Sequence, residues 1–456
     1  MESDVIKRTA VVSLVLLLVA SACWAGDLLS YVQQPDPSFK WEKVSEQTSS
    51  AGTDYILSMT SQTWQGIAWT HKIEIVRPAK CDYPSSAILF ITGGNPRKEM
   101  SPIGLALAGL AGCPVAILYN IPNQPLFDGK REDALIAHTF VKALETGDET
   151  WPLLLPMTKA AVRAMDAVQA FSKSQMGNQI TSFVVSGASK RGWTTWLTAA
   201  ADNKRVKGIV PIVYDNLNLA AQMARQIACY GKYSEQIDDY TKLDIQDSLR
   251  TEKGQRLASI VDPWAYRDRI TVPKLIINGT NDPYWTLDSL NLYWNDLKGP
   301  KLVQYVPNAG HGAMSDPSGA LKLLATSAAF VRAIASDSPL PKLDWTCTVD
   351  KSTCRLSVRS TPKCTSASLW TTASDSLDFR GSKWSFTRMT AGKDGFSGSM
   401  PVPEKGYAAC FGEVSVSAAG REFTLCTQVR IVGPGGSVPS TTSDNTSPRL
   451  PGTRYP

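Results

Sequence analysis

The sequence predicts an α/β protein: a doubly wound, mostly parallel sheet with a helical cap insertion, followed by a C-terminal all-β sandwich. Three observations carry this reading: short apolar runs without polar interruption, helical patterns between them, and a change after Pro339 to short strand-like pieces separated by Gly, Ser and Pro. Continuous apolar runs suit strands buried on both faces of a parallel sheet, and their alternation with helices implies crossover units.

In chain order, QGIAWTHKIEIVRP at 65–78 alternates like one arm of a β-hairpin. The apolar runs follow: AILFITGG at 87–94, VAILYNIP at 115–122, SFVVSGAS at 182–189, KGIVPIV at 207–213, PKLIINGT at 273–280 and KLVQYVP at 301–307. Helical patterns are PMTKAAVRAMDAVQAF at 156–171, opening on proline, then 192–201, and SLNLYWNDL at 289–297. A polar, mostly helical insertion at 215–269 interrupts the alternation and is expected to cap the carboxyl edge of the sheet, where ligands bind in such folds. The α/β domain is therefore placed at 26–338 and the sandwich at 339–432. The remainder, 433–456, is too poor in apolar residues to fold and reads as a disordered tail.

The N-terminus reads as a signal peptide over 1–25: Lys7 and Arg8, an apolar run too short for a membrane span, then small residues at Ala20, Ala22 and Ala25. Export is the expectation, with an uncleaved anchor or a lipid on Cys23 as alternatives. The 47 basic and 41 acidic residues give a net charge of +6 without basic clusters, which argues against a nucleic-acid partner. Nine cysteines become eight after cleavage, and an exported chain is expected to pair them. The pairs to test are Cys81 with Cys113, Cys347 with Cys354, and Cys410 with Cys426, leaving Cys229 and Cys364; buried free thiols are the alternative.

The chemistry centres on Ser189, which follows an apolar strand, has Gly187 two positions before it and opens a helical pattern. A strained strand-to-helix turn would lift its hydroxyl towards a ligand, and the N–H of Lys190 at the helix start would face a developing oxyanion. The other reading is an ordinary helix-capping serine. Two further residues favour the nucleophile. Asp282 follows the strand-like KLIINGT, and His311 follows KLVQYVP, so Ser, Asp and His come in the α/β-hydrolase order, each after its own strand. Of the three histidines, His71 and His138 lie away from strand ends and read as surface or packing residues. Gly93 and Gly94, ending another strand, let backbone N–H groups approach an oxyanion. No metal-ligand spacing is present, and no metal or cofactor is expected.

With these residues in place, GASKRGWTTWL around Ser189, FDGKREDALIA at 127–137, DPWAYRDRITVPKLIING at 262–279 and YVPNAGHG at 305–312 resemble the PhoPQ-activated pathogenicity-related protein family. The resemblance covers roughly 28–432 and implies an exported α/β-hydrolase fold with a C-terminal β-sandwich. It leaves the substrate undefined, and some members resemble extracellular signalling proteins. The turn departs from G-x-S-x-G, because Arg191 stands where the second glycine belongs and Gly192 follows one residue later. Two cations at a helix N-terminus oppose its dipole. Lys190 or Arg191 is thus expected to meet either an anionic substrate group or an internal carboxylate such as Asp133.

The expected function is a secreted serine hydrolase, esterase or peptidase, acting on a small-molecule or peptide substrate through Ser189, Asp282 and His311. The alternative is a secreted signalling or binding protein that keeps the fold and meets a cell-surface partner. A carbohydrate- or surface-binding role for the sandwich rests on Trp370 and Trp384. Asn278 and Asn445 begin glycosylation sequons.

Overall fold

The computed structural model describes residues 27–96, 101–313 and 317–440. The expected signal segment, the end of the tail and the Asn445 sequon lie outside the described residues.

After a short helix α1 (Leu28–Gln33), strands β1 (Lys40–Ser49), β2 (Gly52–Trp64) and β3 (Ile67–Pro78) form an antiparallel meander at one edge. Then come β4 (Ser86–Ile91), α2 (Pro102–Ala111), β5 (Val115–Leu118), α3 (Glu132–Thr146), α4 (Leu154–Gln175), β6 (Ser182–Ala188), α5 (Lys190–Ala201) and β7 (Val206–Ile212). Helix α6 (Leu219–Tyr230), short turns and α7 (Glu252–Val261) form the insertion, and β8 (Lys274–Gly279), β9 (Lys301–Val306) and α8 (Pro317–Ala335) complete this part. The sheet order is β1-β2-β3-β5-β4-β6-β7-β8-β9, parallel from β5 to β9.

The uninterrupted apolar runs have the expected cause. In β6, Phe183 and Val185 face one core with α4 and α5, while Val184 faces a second core with α2 and α8. Both faces are dry, so neither can carry the polar half of an alternating pattern. The helix expected at 289–297 is replaced by two 3-10 turns, Ser289–Leu292 and Trp294–Asp296. Lys301 Nζ closes the end of this segment, donating to Trp294 O and Leu297 O at 2.5 and 3.2 Å.

The C-terminal all-β region packs two sheets face to face. One holds β10 (Lys342–Val349), β11 (Thr353–Thr361), β14 (Thr390–Gly392) and β15 (Gly395–Pro401). The other holds β12 (Ser366–Ser374), β13 (Ser385–Arg388), β16 (Tyr407–Ala418), β17 (Arg421–Cys426), β18 (Arg430–Gly433) and β19 (Gly436–Ser437), and it joins the main sheet where Cys426 of β17 pairs antiparallel with Val303 of β9. The boundary of the tail moves: β18 and β19 form a hairpin across the Gly-rich turn, and Val438 N–H donates to Ile431 O, so order runs past Gly433. Backbone pairing suffices there where apolar side chains are few.

No disulfide is present among the described residues; the eight cysteines are free thiols. Cys347 and Cys354 do meet, Sγ to Sγ 3.2 Å, but the third thiol beside them is Cys410, 4.0 Å from Cys354. The expected Cys410 and Cys426 pair is excluded by the pleat. Cys410 points into the sandwich core, while Cys426 points to the opposite face and accepts from Tyr305 N–H. Trp384 is buried in the core and so offers no face for sugar stacking, while Trp370 is half-buried and packs on Phe386 and Phe411. Asn278 is 4% exposed on β8, which leaves no room for a glycan.

Candidate active site

Ser189 sits between β6 and α5 with φ 57° and ψ −127°, a backbone that L-residues rarely adopt. Its N–H is tied to Ile212 O at 2.8 Å, which locks the turn to β7. It occupies the cap position of α5, yet its side chain makes no capping hydrogen bond. The hydroxyl instead meets His311 Nε2 at 2.8 Å, and the other ring nitrogen, Nδ1, meets Asp282 Oδ2 at 2.8 Å. Asp282 is buried, His311 and Ser189 half-buried, and the second carboxylate oxygen accepts from Tyr284 N–H at 2.9 Å. The Tyr284 ring stacks on the imidazole, centroids 4.0 Å apart.

The loops that bring these groups together are fastened to each other. Gly279, at the end of β8, has the backbone of Ala309 and Gly310 where a Cβ would lie, 2.4 and 2.5 Å from their carbonyl oxygens. Asn281 N–H donates to Ala309 O at 2.9 Å, and Asn308 N–H to Thr280 Oγ1 at 2.8 Å. The sequence reading missed the outer brace. Asn281 Nδ2 donates to the Arg380 and Ser382 carbonyls, and the Asn308 amide exchanges two hydrogen bonds with the Trp384 backbone, so the all-β region holds both loops. The long sequence separation hides this, although Asn281 beside Asp282 and Asn308 three residues before His311 were the available signal.

Arg191 does not spoil the turn, because the tight crossing is served by its neighbours. A Cβ on Gly187 would lie 2.7 Å from Arg191 O, and one on Gly192 would lie 3.0 Å from Ile212 O. The Arg191 side chain leaves the crossing altogether. Its guanidinium grips both oxygens of Glu132 at 2.7 and 2.8 Å, and its Nε donates to Ile121 O. It also fills the space a side chain at Gly93 would need. Lys190 Nζ lies 3.0 Å from Glu132 and 3.0 Å from Asp133. Of the two expectations for these cations, the internal carboxylates are the one found, and they offset the opposing helix dipole. Burial pushes the Glu132 carboxyl up, but the Arg191 hydrogen bonds and the charges of Arg191 and Lys190 outweigh it and hold it down at about 2.

The insertion lies over this edge, as expected, and it is pinned to the loop after Asp282. Buried Arg225 pairs with Asp288 at 2.7 Å, Gln226 donates to Tyr284 O, and Ser234 Oγ donates to Pro283 O. Beneath it, an apolar cavity opens at Ser189 between α5 and the insertion, with Trp193, Tyr214, Tyr240 and Trp285 in its walls. His71 is buried in the meander and His138 lies against Phe127, so neither belongs to the site.

Comparison with known proteins decides the relationship. The family model for PhoPQ-activated pathogenicity-related proteins matches residues 28–380. The chain belongs to this family. A curated relative, autocrine proliferation repressor protein A of Dictyostelium discoideum, is 35% identical over 350 residues, which span 73% of this chain and 70% of that protein. Among solved structures the chain is similar to acetyl xylan esterase 1 from a Thermoanaerobacterium species (16% identical, 65% of this chain and 90% of that one, TM-score 0.45). It is also similar to an acetyl xylan esterase from a Paenibacillus species (16%, 67% and 92%, TM-score 0.47). The fold of this family member is that of an α/β-hydrolase carrying a C-terminal all-β region. Among its described residues no helix is long and apolar enough to cross a membrane.

Proposed function

We propose that the protein is an exported serine hydrolase that cleaves an ester or amide through an acyl-enzyme on Ser189. The observation that carries this is the unbroken chain Ser189 Oγ, His311 Nε2, His311 Nδ1, Asp282 Oδ2, with both links at 2.8 Å and Ser189 released from capping. His311 takes the hydroxyl proton as Ser189 Oγ attacks the carbonyl carbon, then returns it to the leaving alcohol or amine. Water repeats the sequence and frees the acid. Asp282, fixed by Tyr284 N–H, holds the imidazole in the tautomer with Nδ1 protonated and stabilises the imidazolium. The tetrahedral oxyanion is received by the N–H of Lys190, one of the donors that the first turn of a helix leaves without an intrahelical partner, together with an N–H of Gly93 or Gly94.

The test is labelling with a fluorophosphonate probe. Wild type labels and Ser189→Ala does not; failure of folded wild type to label would sink the proposal. On any ester that is turned over, Asp282→Asn lowers kcat by about 10⁴-fold.

A second reading, a secreted signalling protein that meets a cell-surface partner and turns over little or nothing, is favoured by the name of the 35% identical relative. Ser189→Ala separates the two: a signalling activity that survives the substitution belongs to the surface and not to the serine.

A further inference from the structure

The cavity beside Ser189 is apolar in most of its wall but contains unmet polar atoms. Its linings include Phe140, Trp193 and Leu257, and the Trp193 and Tyr214 rings stack with centroids 5.1 Å apart. Three further lining residues, Tyr214, Asn216 and Gln246, are 3%, 6% and 7% exposed. Among the described residues Asn216 Oδ1 and Gln246 Oε1 have no hydrogen-bond partner, and the Tyr214 hydroxyl is met by no group beyond the Asn216 side chain. A buried polar group without a partner is destabilising, so two unmet acceptors on one cavity wall, with the Tyr214 hydroxyl beside them, point to a ligand that meets them.

Their chemistry says what kind of ligand. Thr241 Oγ1 donates to Ile237 O, so it can only accept from Gln246 Nε2, at 3.0 Å. This fixes the Gln246 amide with Oε1, an acceptor, as the unmet atom. Burial drives the Tyr214 hydroxyl well above its usual pKa, so it stays a neutral donor and acceptor. The one carboxylate in the wall, Asp133, is already met by Lys190 Nζ and by Tyr240 OH, each at 3.0 Å. A charged ligand would thus be buried without a counter-ion. The space open to the centre of a water molecule is ≈ 70 Å³, on the order of five water positions, and it suits a ring-sized group.

We propose that this cavity is the substrate-recognition subsite, and that it takes a neutral, mainly apolar, ring-sized group bearing a hydrogen-bond donor, a hydroxyl or an amide N–H. The inference rests on the serine-hydrolase reading and narrows its substrate class. A site that hydrogen-bonds a substrate group rejects the isostere lacking it far more strongly than an apolar slot rejects a change of size.

Two matched pairs of esters test it, one for each side of the scissile bond. The first is the 4-nitrophenyl ester of 3-(4-hydroxyphenyl)propanoic acid against that of the 4-methyl analogue. The second is 2-(4-hydroxyphenyl)ethyl acetate against its 4-methyl analogue. In at least one pair kcat/KM favours the hydroxylated ester by about tenfold or more, and the ratio falls to within about twofold in Gln246→Leu or Tyr214→Phe. Ratios within twofold in both wild-type pairs, or a preference untouched by both substitutions, overturn the subsite. Phosphonate labelling of Ser189 without turnover of any of the four esters also overturns it, while leaving the hydrolase reading standing. No turnover and no labelling overturn both.

Discussion

At the scale of single residues, Arg191 carries more of the local structure than its place in the turn suggested. It binds Glu132 in two parallel hydrogen bonds and caps Ile121 O, joining α5 to the loop before α3. Arg191→Ala is expected to lower stability by about 1–3 kcal/mol in urea unfolding, with Arg191→Lys recovering little because an ammonium cannot make the fork. Combined with Glu132→Gln, the losses should add to less than their sum; full additivity would mean that the pair is not coupled. His71 supplies a pH dependence of known sign. Burial lowers it from the ordinary imidazole value to about 4, despite hydrogen bonds to the Asn120 and Tyr119 backbone. Its folded pKa lies below the unfolded one, so its stabilising contribution is complete above about 6.5 and is lost as pH falls towards 4. Relative to His71→Gln, wild type should lose about 3 kcal/mol across that window in denaturant titrations at stepped pH, and parallel profiles would refute it.

At the scale of elements, the site is a matter of how two loops are held. Gly279 admits the backbone after β9 against the end of β8, and Asn281 and Asn308 tie those same loops to the 379–384 segment of the all-β region. Gly279→Ala would put a methyl group against two carbonyl oxygens and push His311 away from Asp282. Phosphonate labelling should slow by about 10²-fold or more, since a displacement near 1 Å at a reacting group has that cost. Asn308→Ala should slow labelling less and lower the melting temperature by a few degrees, having removed two hydrogen bonds to Trp384. Unchanged labelling in both would show that the brace is irrelevant to the site.

At the scale of the whole molecule, the α/β part and the sandwich share structure instead of merely adjoining. The β9 to β17 junction makes their sheets continuous, Tyr305 of β9 packs on Phe411 of β16, and core residues of both parts lie in the same clusters. A chain ended after Ser338 would uncover the apolar edge at Tyr305 and strip Asn281 and Asn308 of their partners. It is expected to be insoluble or unlabelled by a phosphonate, and calorimetry of the full chain should show one transition. A soluble, normally labelled truncation would separate the two parts.

Much of this was legible in the residues themselves. Six apolar runs became six strands because burial on both faces requires continuous apolar sequence, a purely local signal. The order of Ser189, Asp282 and His311 was readable for a similar reason: they stand one, three and five residues past the ends of their own strands, so β-sheet register carries them to one edge. What the sequence left open depended on direction in space. Whether Ser189 caps a helix or faces a histidine turned on a backbone angle, whether Arg191 reaches Glu132 turned on which way a long side chain leaves a helix, and the separation of Cys410 from Cys426 turned on the pleat. The polar lining of the cavity beside Ser189 was likewise decided only by the fold, because Tyr214, Asn216 and Gln246 are brought to one wall through packing of the insertion over the sheet, and no spacing along the chain encodes that.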